Sequence, residues 1–300
     1  MLCGGRSQRM GRPKALLPWF GRSMIEHVVA VLAPCVDEVI VVTSSDLCLP
    51  EASLDARIVV DREHERGPLA ALRDGLAVAR AEVAFVTSTD APFLTMTHVA
   101  AVFAAAEAAG GRGAAAPEAE GFLQVLSAVY PCSAWREAEA LLAAGVASPA
   151  ALLERLGFAS VPLEVREGVA PWTGFNTPED YLALARLRDP RATAEVEWRR
   201  PSPSTRAGAA RPADVANVAD WADEVSHREV PIGRLLEVLR AAAPDRESAL
   251  GDLFVERLRV SLGGEVLAPP FEPGMPVGPG ERVVVREAPV GPARSRARRR

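Results

Sequence analysis

Through about residue 188, apolar residues along this chain follow two alternating rhythms. Short unbroken runs rich in β-branched residues occupy 38–43 (EVIVVT), 57–60 (RIVV) and 83–87 (VAFVT). Such runs are the mark of parallel strands buried on both faces. Between them, apolar residues recur every three or four positions. Ile25, Val28, Val29 and Leu32 make one helical stripe, and Leu69, Leu72 and Leu76 make another. Pro68 directly follows Gly67, at the first helical turn, where proline is tolerated best. The same rhythms predict a helix over about 97–109, ending at Gly110-Gly111. Further helices are predicted near 134–144, 149–156 and 178–188, and strands over 122–130 and 161–165. This alternation predicts an α/β fold, a doubly wound and mainly parallel sheet. In such sheets ligands bind at the carboxyl ends of the strands. The opening strand is short, since only Met1, Leu2 and Cys3 precede Gly4-Gly5. Either this strand is unusually short or the true start of the chain lies upstream of Met1.

From Asp189 the rhythm changes. Residues 201–212 (PSPSTRAGAARP) have no apolar period and predict a flexible loop or linker. Periodicity then returns. Leu235, Leu236 and Leu239 give a helical face over 234–243. Residues 258–267 (LRVSLGGEVL) predict a hairpin about Gly263-Gly264, and 282–286 (RVVVR) a strand. The expected divisions are a first domain over 1–188, a strand and flexible linker over 189–222, a small second domain over 223–291, and a disordered Arg-rich tail over 292–300.

Composition narrows the function classes. At 300 residues and 49% hydrophobic, the chain can build a sizeable core. A net charge of −5 argues against a dedicated nucleic-acid binder. No apolar run reaches the ~18 residues of a membrane span, and no signal-peptide pattern is present. Cys3, Cys35, Cys48 and Cys132 form no CxxC pair and predict reduced thiols in the cytoplasm.

The candidate chemistry starts in the opening loop. Gly4 and Gly5 let backbone N–H groups approach an anion, and Arg9 and Lys14 follow closely. Lys14 is the only lysine among 34 basic residues, so a compact ammonium stands here where arginine serves elsewhere. On spacing alone, a surface turn explains the loop equally well. Asp61 and Asp90 each follow a predicted strand, where a carboxylate can hold Mg²⁺ against phosphates. Each fits a helix N-cap or Asx-turn as readily. His27, His64, His98 and His227 form no cluster and are expected to be surface or structural residues.

Leu2 to Pro18 (LCGGRSQRMGRPKALLP) resembles the LAGGxSxRMGxxKxLLP signature of Rossmann-like nucleotidyltransferases, and within them the molybdenum cofactor guanylyltransferases. Four more segments match in order. Asp61 with Gly67-Pro68-Leu69-Ala70 is similar to D…GPLAG, and Thr89-Asp90-Ala91-Pro92-Phe93-Leu94 to CDxPFL. Gln124 to Tyr130 resembles QPLxAVY, and Phe175-Asn176-Thr177-Pro178-Glu179-Asp180 resembles the terminal NTPEDL. The resemblance implies a nucleotide-diphospho-sugar-transferase-like fold. It implies nucleotide contacts from Leu2, Cys3, Gly4, Thr43, Asp61 and Asp90, with Gly5 shaping the loop. Lys14 and Arg9 would bind the triphosphate, Asp90 would bind Mg²⁺, and Gln124 and Asn176 would lie on the cofactor side. The implied reaction moves GMP from GTP to molybdopterin, bare or molybdenum-loaded, and releases pyrophosphate. Pro13, Ala71 and Val125 depart from the signature, and Pro13-Lys14 is shared with cytidylyltransferase relatives. A CTP:molybdopterin cytidylyltransferase and a non-catalytic cofactor carrier are the alternatives.

The C-terminal pattern, with Glu229 to Leu236, 258–267 and 282–291, resembles the β-grasp sulfur carriers such as the small subunit of molybdopterin synthase. Those carriers end in Gly-Gly, whereas Pro292 and an Arg-rich tail follow Gly291 here. The resemblance therefore implies a module for packing, or for docking other molybdenum cofactor biosynthesis proteins.

Overall fold

The structure is a computed structural model and describes residues 1–4, 8–49, 53–61, 63, 66–109, 113–161, 169–201, 223–242, 258–267 and 274–287. Two compact units divide the chain, Met1–Thr177 and Pro178–Arg300.

In the first unit, β1 (Leu2–Cys3) lies beside β2 (Ile40–Thr43), and β2 beside β3 (Arg57–Val60), all parallel. On its other side β1 meets β4 (Val83–Thr87) at a parallel bridge between Leu2 and Ser88, where the Thr89 N–H donates to the Leu2 carbonyl at 3.2 Å. The antiparallel strand β6 (Ser127–Pro131) joins β4 to β5 (Ala115–Ala119), and β7 (Ala159–Val161) runs parallel to β5. The order is β3-β2-β1-β4-β6-β5-β7, mainly parallel.

Successive strand residues feed opposite cores, because side chains alternate across a pleated sheet. Phe85 and Val129 face α1 (Met24–Leu32) and α3 (Met96–Ala108), joining Ile25, Val28, Val99 and Val102. Val86 and Tyr130 face the opposite way, toward α2 (Pro68–Val78), α4 (Trp135–Ala143) and α5 (Pro149–Leu156). Helix α2 lies close on β2, since a Cβ at Gly75 would come within 3.0 Å of Val42 Cγ2.

Two predicted strands differ. The stretch 122–130 is broken: Phe122–Leu123 pairs with Glu118–Ala119, the chain then turns through Gln124 to Leu126, and β6 starts at Ser127. The turn is fixed by backbone hydrogen bonds, Gln124 N–H to the Pro117 carbonyl at 2.8 Å and Ser127 N–H to the Gln124 carbonyl at 2.9 Å. The strand expected over 161–165 occupies Ala159–Val161, and 162–165 lie outside the described residues.

The second unit begins earlier than the expected division at 188. By its contacts α6 (Pro178–Arg188) belongs here, with Arg186 donating to the Ile232 carbonyl at 3.0 Å and Glu179 paired with Arg234. The expected strand within 189–222 is β8 (Thr193–Pro201), which pairs antiparallel with β9 (Asp223–Pro231). Helix α7 (Leu235–Ala242) is followed by the hairpin β10 (Leu258–Leu262) and β11 (Glu265–Leu267), as predicted, and by β12 (Arg282–Glu287). The sheet order is β9-β8-β12-β10-β11, and its one parallel pair among the described residues is β8 with β12. Leu235, Val238 and Leu239 of α7 pack on Val196, Trp198, Val260 and Val285 in a core of its own. The predicted tail over 292–300 lies outside the described residues.

Candidate active site

The site is built at the carboxyl ends of β1, β2, β3 and β4. After β1 the chain passes Gly4, which is exposed, and Gly5, which lies outside the described residues. Arg9 is exposed on the short turn Gln8–Met10, anchored by buried Met10. Buried Ala15 and Leu17 fix the next turn, Lys14–Leu16, and leave the Lys14 side chain to reach across the sheet.

Among the described residues, Asp90, Asn176 and Phe175 hold Lys14. Its Nζ lies 2.7 Å from Asp90 Oδ2 and 2.9 Å from Asn176 Oδ1, and it stands 5.3 Å from the centre of the Phe175 ring. The other oxygen of Asp90, Oδ1, accepts a 2.5 Å hydrogen bond from Ser88 Oγ. Gly174 closes on the same carboxylate, and a Cβ there would fall 3.2 Å from the Asp90 carbonyl oxygen. A site of one ammonium, one carboxylate and an amide can neutralise phosphate charge and fix a metal–phosphate unit.

Beneath this cluster, buried Cys3 hydrogen-bonds through its thiol to the side chains of Thr43 and Thr89, themselves buried. Burial pushes the thiol up to about 11, so it packs as a neutral group and supplies no nucleophile. Thr43, expected to touch nucleotide, lies buried at the end of β2 with its hydroxyl beside the Cys3 thiol and 3.5 Å from the Ser44 carbonyl. Leu2 is half-buried, with its backbone bonded between β2 and β4.

The structure does not bring every candidate to the cluster. Asp61 Oδ1 accepts the Glu63 N–H at 2.8 Å in an Asx-turn, ahead of Gly67, whose φ of 83° admits the chain into α2. Gln124 Nε2 donates to the Phe122 carbonyl at 3.1 Å within its own turn. Sequence reasoning gave no role to Ser88, Gly174 or Phe175, though Ser88 and Phe175 open the Asp90 and Asn176 segments and Gly174 directly precedes Phe175.

The histidines lie where structural residues do, as far as they are described. His27 Nε2 lies 2.9 Å from the Pro92 carbonyl. His98 is buried with Nε2 2.7 Å from Ser127 Oγ and its ring tilted on Trp172, and burial lowers it to about 4. His64 and the side chain of His227 lie outside the described residues.

Among the described residues, no three His, Cys, Asp or Glu side chains gather as a metal cage. Asp90, at 22% exposure, offers a hard oxygen donor at the mouth of the site. That suits Mg²⁺, which takes one or two carboxylates and completes its shell with phosphate and water. An apolar cavity of about 530 Å³ lies elsewhere, near Ile40, Ala81 and Val83 at the amino ends of the strands. Its charged side chains are the carboxylates Asp37, Glu38 and Glu107, with no lysine or arginine to meet a phosphate, so the site is placed by its polar groups.

Residues 1–159 match the model of the MobA-like NTP transferase domain. A molybdenum cofactor guanylyltransferase of Pseudomonas putida is 34% identical over 181 residues, which is 60% of this chain and 92% of that protein. One of Ectopseudomonas mendocina is 32% identical over 192 residues, 64% of this chain and 92% of that protein. The crystal structure of molybdopterin-guanine dinucleotide biosynthesis protein A from Archaeoglobus fulgidus has the same fold, with a TM-score of 0.50 and 24% identity over 60% of this chain and 92% of that one. No helix among the described residues is long and apolar enough to cross a membrane.

Proposed function

The chain belongs to the MobA-like NTP transferases, alongside the molybdenum cofactor guanylyltransferases, and from that membership we propose its reaction. It is a nucleotidyltransferase that moves GMP from GTP to molybdopterin, bare or molybdenum-loaded, and releases pyrophosphate. The observation that carries the reading is the junction of Lys14, Asp90 and Asn176 at the carboxyl ends of the strands.

The reaction needs charge and position more than acid–base chemistry. A phosphate oxygen of molybdopterin attacks the α-phosphorus of GTP, and the leaving group is pyrophosphate. The nucleophile is already anionic, which agrees with a site that holds no histidine or reactive thiol among its described residues. Lys14, with exposed Arg9 and the backbone N–H groups of the opening loop, neutralises charge on the phosphates. Asp90 would hold Mg²⁺, which supplies Lewis-acid stabilisation of the phosphoryl oxygens when bound. Ser88 fixes one oxygen of that carboxylate. In this reading Asn176 and Gln124 would contact molybdopterin, and Asp61 the nucleoside. Four free thiols fit a reducing compartment such as the cytoplasm.

For the second unit we read a β-grasp module. Its support is the sheet order β9-β8-β12-β10-β11, with a parallel central pair and α7 packed on the sheet. Such a module would dock other molybdenum cofactor biosynthesis proteins; Gly291, where a carrier would end, lies outside the described residues.

The deciding experiment compares pyrophosphate release from GTP and CTP with molybdenum-loaded molybdopterin and Mg²⁺. Release from GTP alone is expected. Release from CTP alone would reassign the chain as a cytidylyltransferase, and release from neither would favour a carrier.

A further inference from the structure

Both oxygens of the Asp90 carboxylate are engaged by side chains of this chain. Ser88 Oγ donates to Oδ1 at 2.5 Å, and Lys14 Nζ donates to Oδ2 at 2.7 Å. The two interactions differ in kind. A hydroxyl rotates and carries lone pairs, so Ser88 can stay beside a carboxylate that also binds a cation. An ammonium has only donors and a full positive charge, so Lys14 and a divalent cation compete for Oδ2. Lys14 is also well held. The pair is only 18% and 22% exposed, Asn176 Oδ1 takes a second donor at 2.9 Å, and the Phe175 ring lies beneath at 5.3 Å. A charge-assisted hydrogen bond with this support is stronger than a neutral one.

We propose that Lys14 is the resting counter-ion of Asp90, so that a divalent cation gains this carboxylate only after a nucleoside triphosphate has drawn the ammonium onto its phosphates. The inference rests on the reading of Asp90 as the metal carboxylate and Lys14 as a phosphate ligand. It makes metal and nucleotide binding positively linked, and linkage is reciprocal: each tightens the other by the same factor.

Mn²⁺ in place of Mg²⁺ gives a readout independent of turnover, because free Mn²⁺ is measured directly by paramagnetic resonance. Full-length protein is titrated with Mn²⁺ alone and with saturating α,β-methylene GTP, which cannot react. Wild type is expected to bind Mn²⁺ at least ~10-fold more tightly with the analogue than without it, within the usual range of coupling between sites. Without nucleotide, Lys14→Met is expected to bind Mn²⁺ about tenfold more tightly than wild type, a size again set by ordinary coupling. Lys14→Gln serves if the first variant does not fold. Equal nucleotide-free affinity in wild type and the lysine variants overturns the proposal. Asp90→Asn separates the underlying reading: if it leaves Mn²⁺ binding to the nucleotide complex intact, Asp90 is not the metal carboxylate and the proposal fails with that assignment.

Discussion

Lys14 is held by a carboxylate, an amide and an aromatic face, all on residues distant in the chain. Its partners are partly open to water, so its loss leaves no deeply buried charge, and an effect on chemistry is expected to exceed any effect on stability. Lys14→Ala should lower kcat/KM for GTP by roughly 100-fold, the scale for removing one charge-stabilising donor. The thermal midpoint should stay within about 2 °C, as for a surface-type substitution. Unchanged pyrophosphate release would remove Lys14 from the mechanism. His98 belongs to stability instead. Burial lowers it from 6.5 to about 4, so between these values the unfolded chain holds a proton that the folded chain does not. Its contribution is fully present above about pH 6.5, is lost as the pH falls to about 4, and is constant below that. The loss is about 3 kcal/mol at ~1.4 kcal/mol per unit. His98→Gln should flatten urea midpoints over that window relative to wild type, and parallel profiles would disprove the assignment.

At the scale of elements, helix starts carry much of the local specification. Helix α1 begins with a reciprocal capping box: the Glu26 N–H donates to Ser23 Oγ, and Glu26 Oε2 accepts the Ser23 N–H at 2.7 Å. Hydrogen bonds from the Ser53 and Ser23 hydroxyls, then the Ser23 N–H, hold the Glu26 carboxyl below its usual range. This helix backs the strand that leads into the opening glycine loop. Ser23→Ala should cost about 1 kcal/mol. That corresponds to roughly 2–4 °C in the thermal midpoint of a unit this size. A variant with the wild-type midpoint would show that the box contributes nothing. The loop between β3 and α2 is set the same way, by the Asx-turn of Asp61 and the left-handed Gly67 before Pro68.

The whole molecule has two units whose cores are assembled from separate residues. Leu239 is fully buried in the second core, against strands of its own unit. Leu239→Ala should therefore destabilise that unit by about 2–5 kcal/mol. Calorimetry should show one unfolding transition moving down while the other holds, with pyrophosphate release from GTP retained at a temperature where both units are folded. A common shift of both transitions would show that the units unfold as one.

Much of this organisation is local, and local patterns are legible. The strands at 57–60 and 83–87 follow from unbroken apolar runs, and the stripes of α1 and α2 from a period of 3.6, both of which a sequence carries in full. The opening loop, Asp61 and Asp90 fall at strand ends for the same reason, and five motifs in order were enough to indicate the family. What tertiary structure alone decided was who meets whom. Lys14 joins partners 76 and 162 positions away, and a contact at such separation leaves no periodic trace. Ser88 was hidden in plain view, because its value lies in the 2.5 Å contact with Asp90 rather than in its residue type. Thr43 stands at the end of β2, and that its hydroxyl lies beside the Cys3 thiol is visible only in the packed sheet. The break at Gln124 and the allegiance of Pro178–Arg188 were likewise set by backbone hydrogen bonds and contacts that close only in three dimensions. The sequence thus determined the scaffold and the chemical groups it carries, because burial periodicity is written residue by residue. The folded chain determined that Lys14 and Asp90 face each other, because only the sheet brings the ends of β1 and β4 side by side.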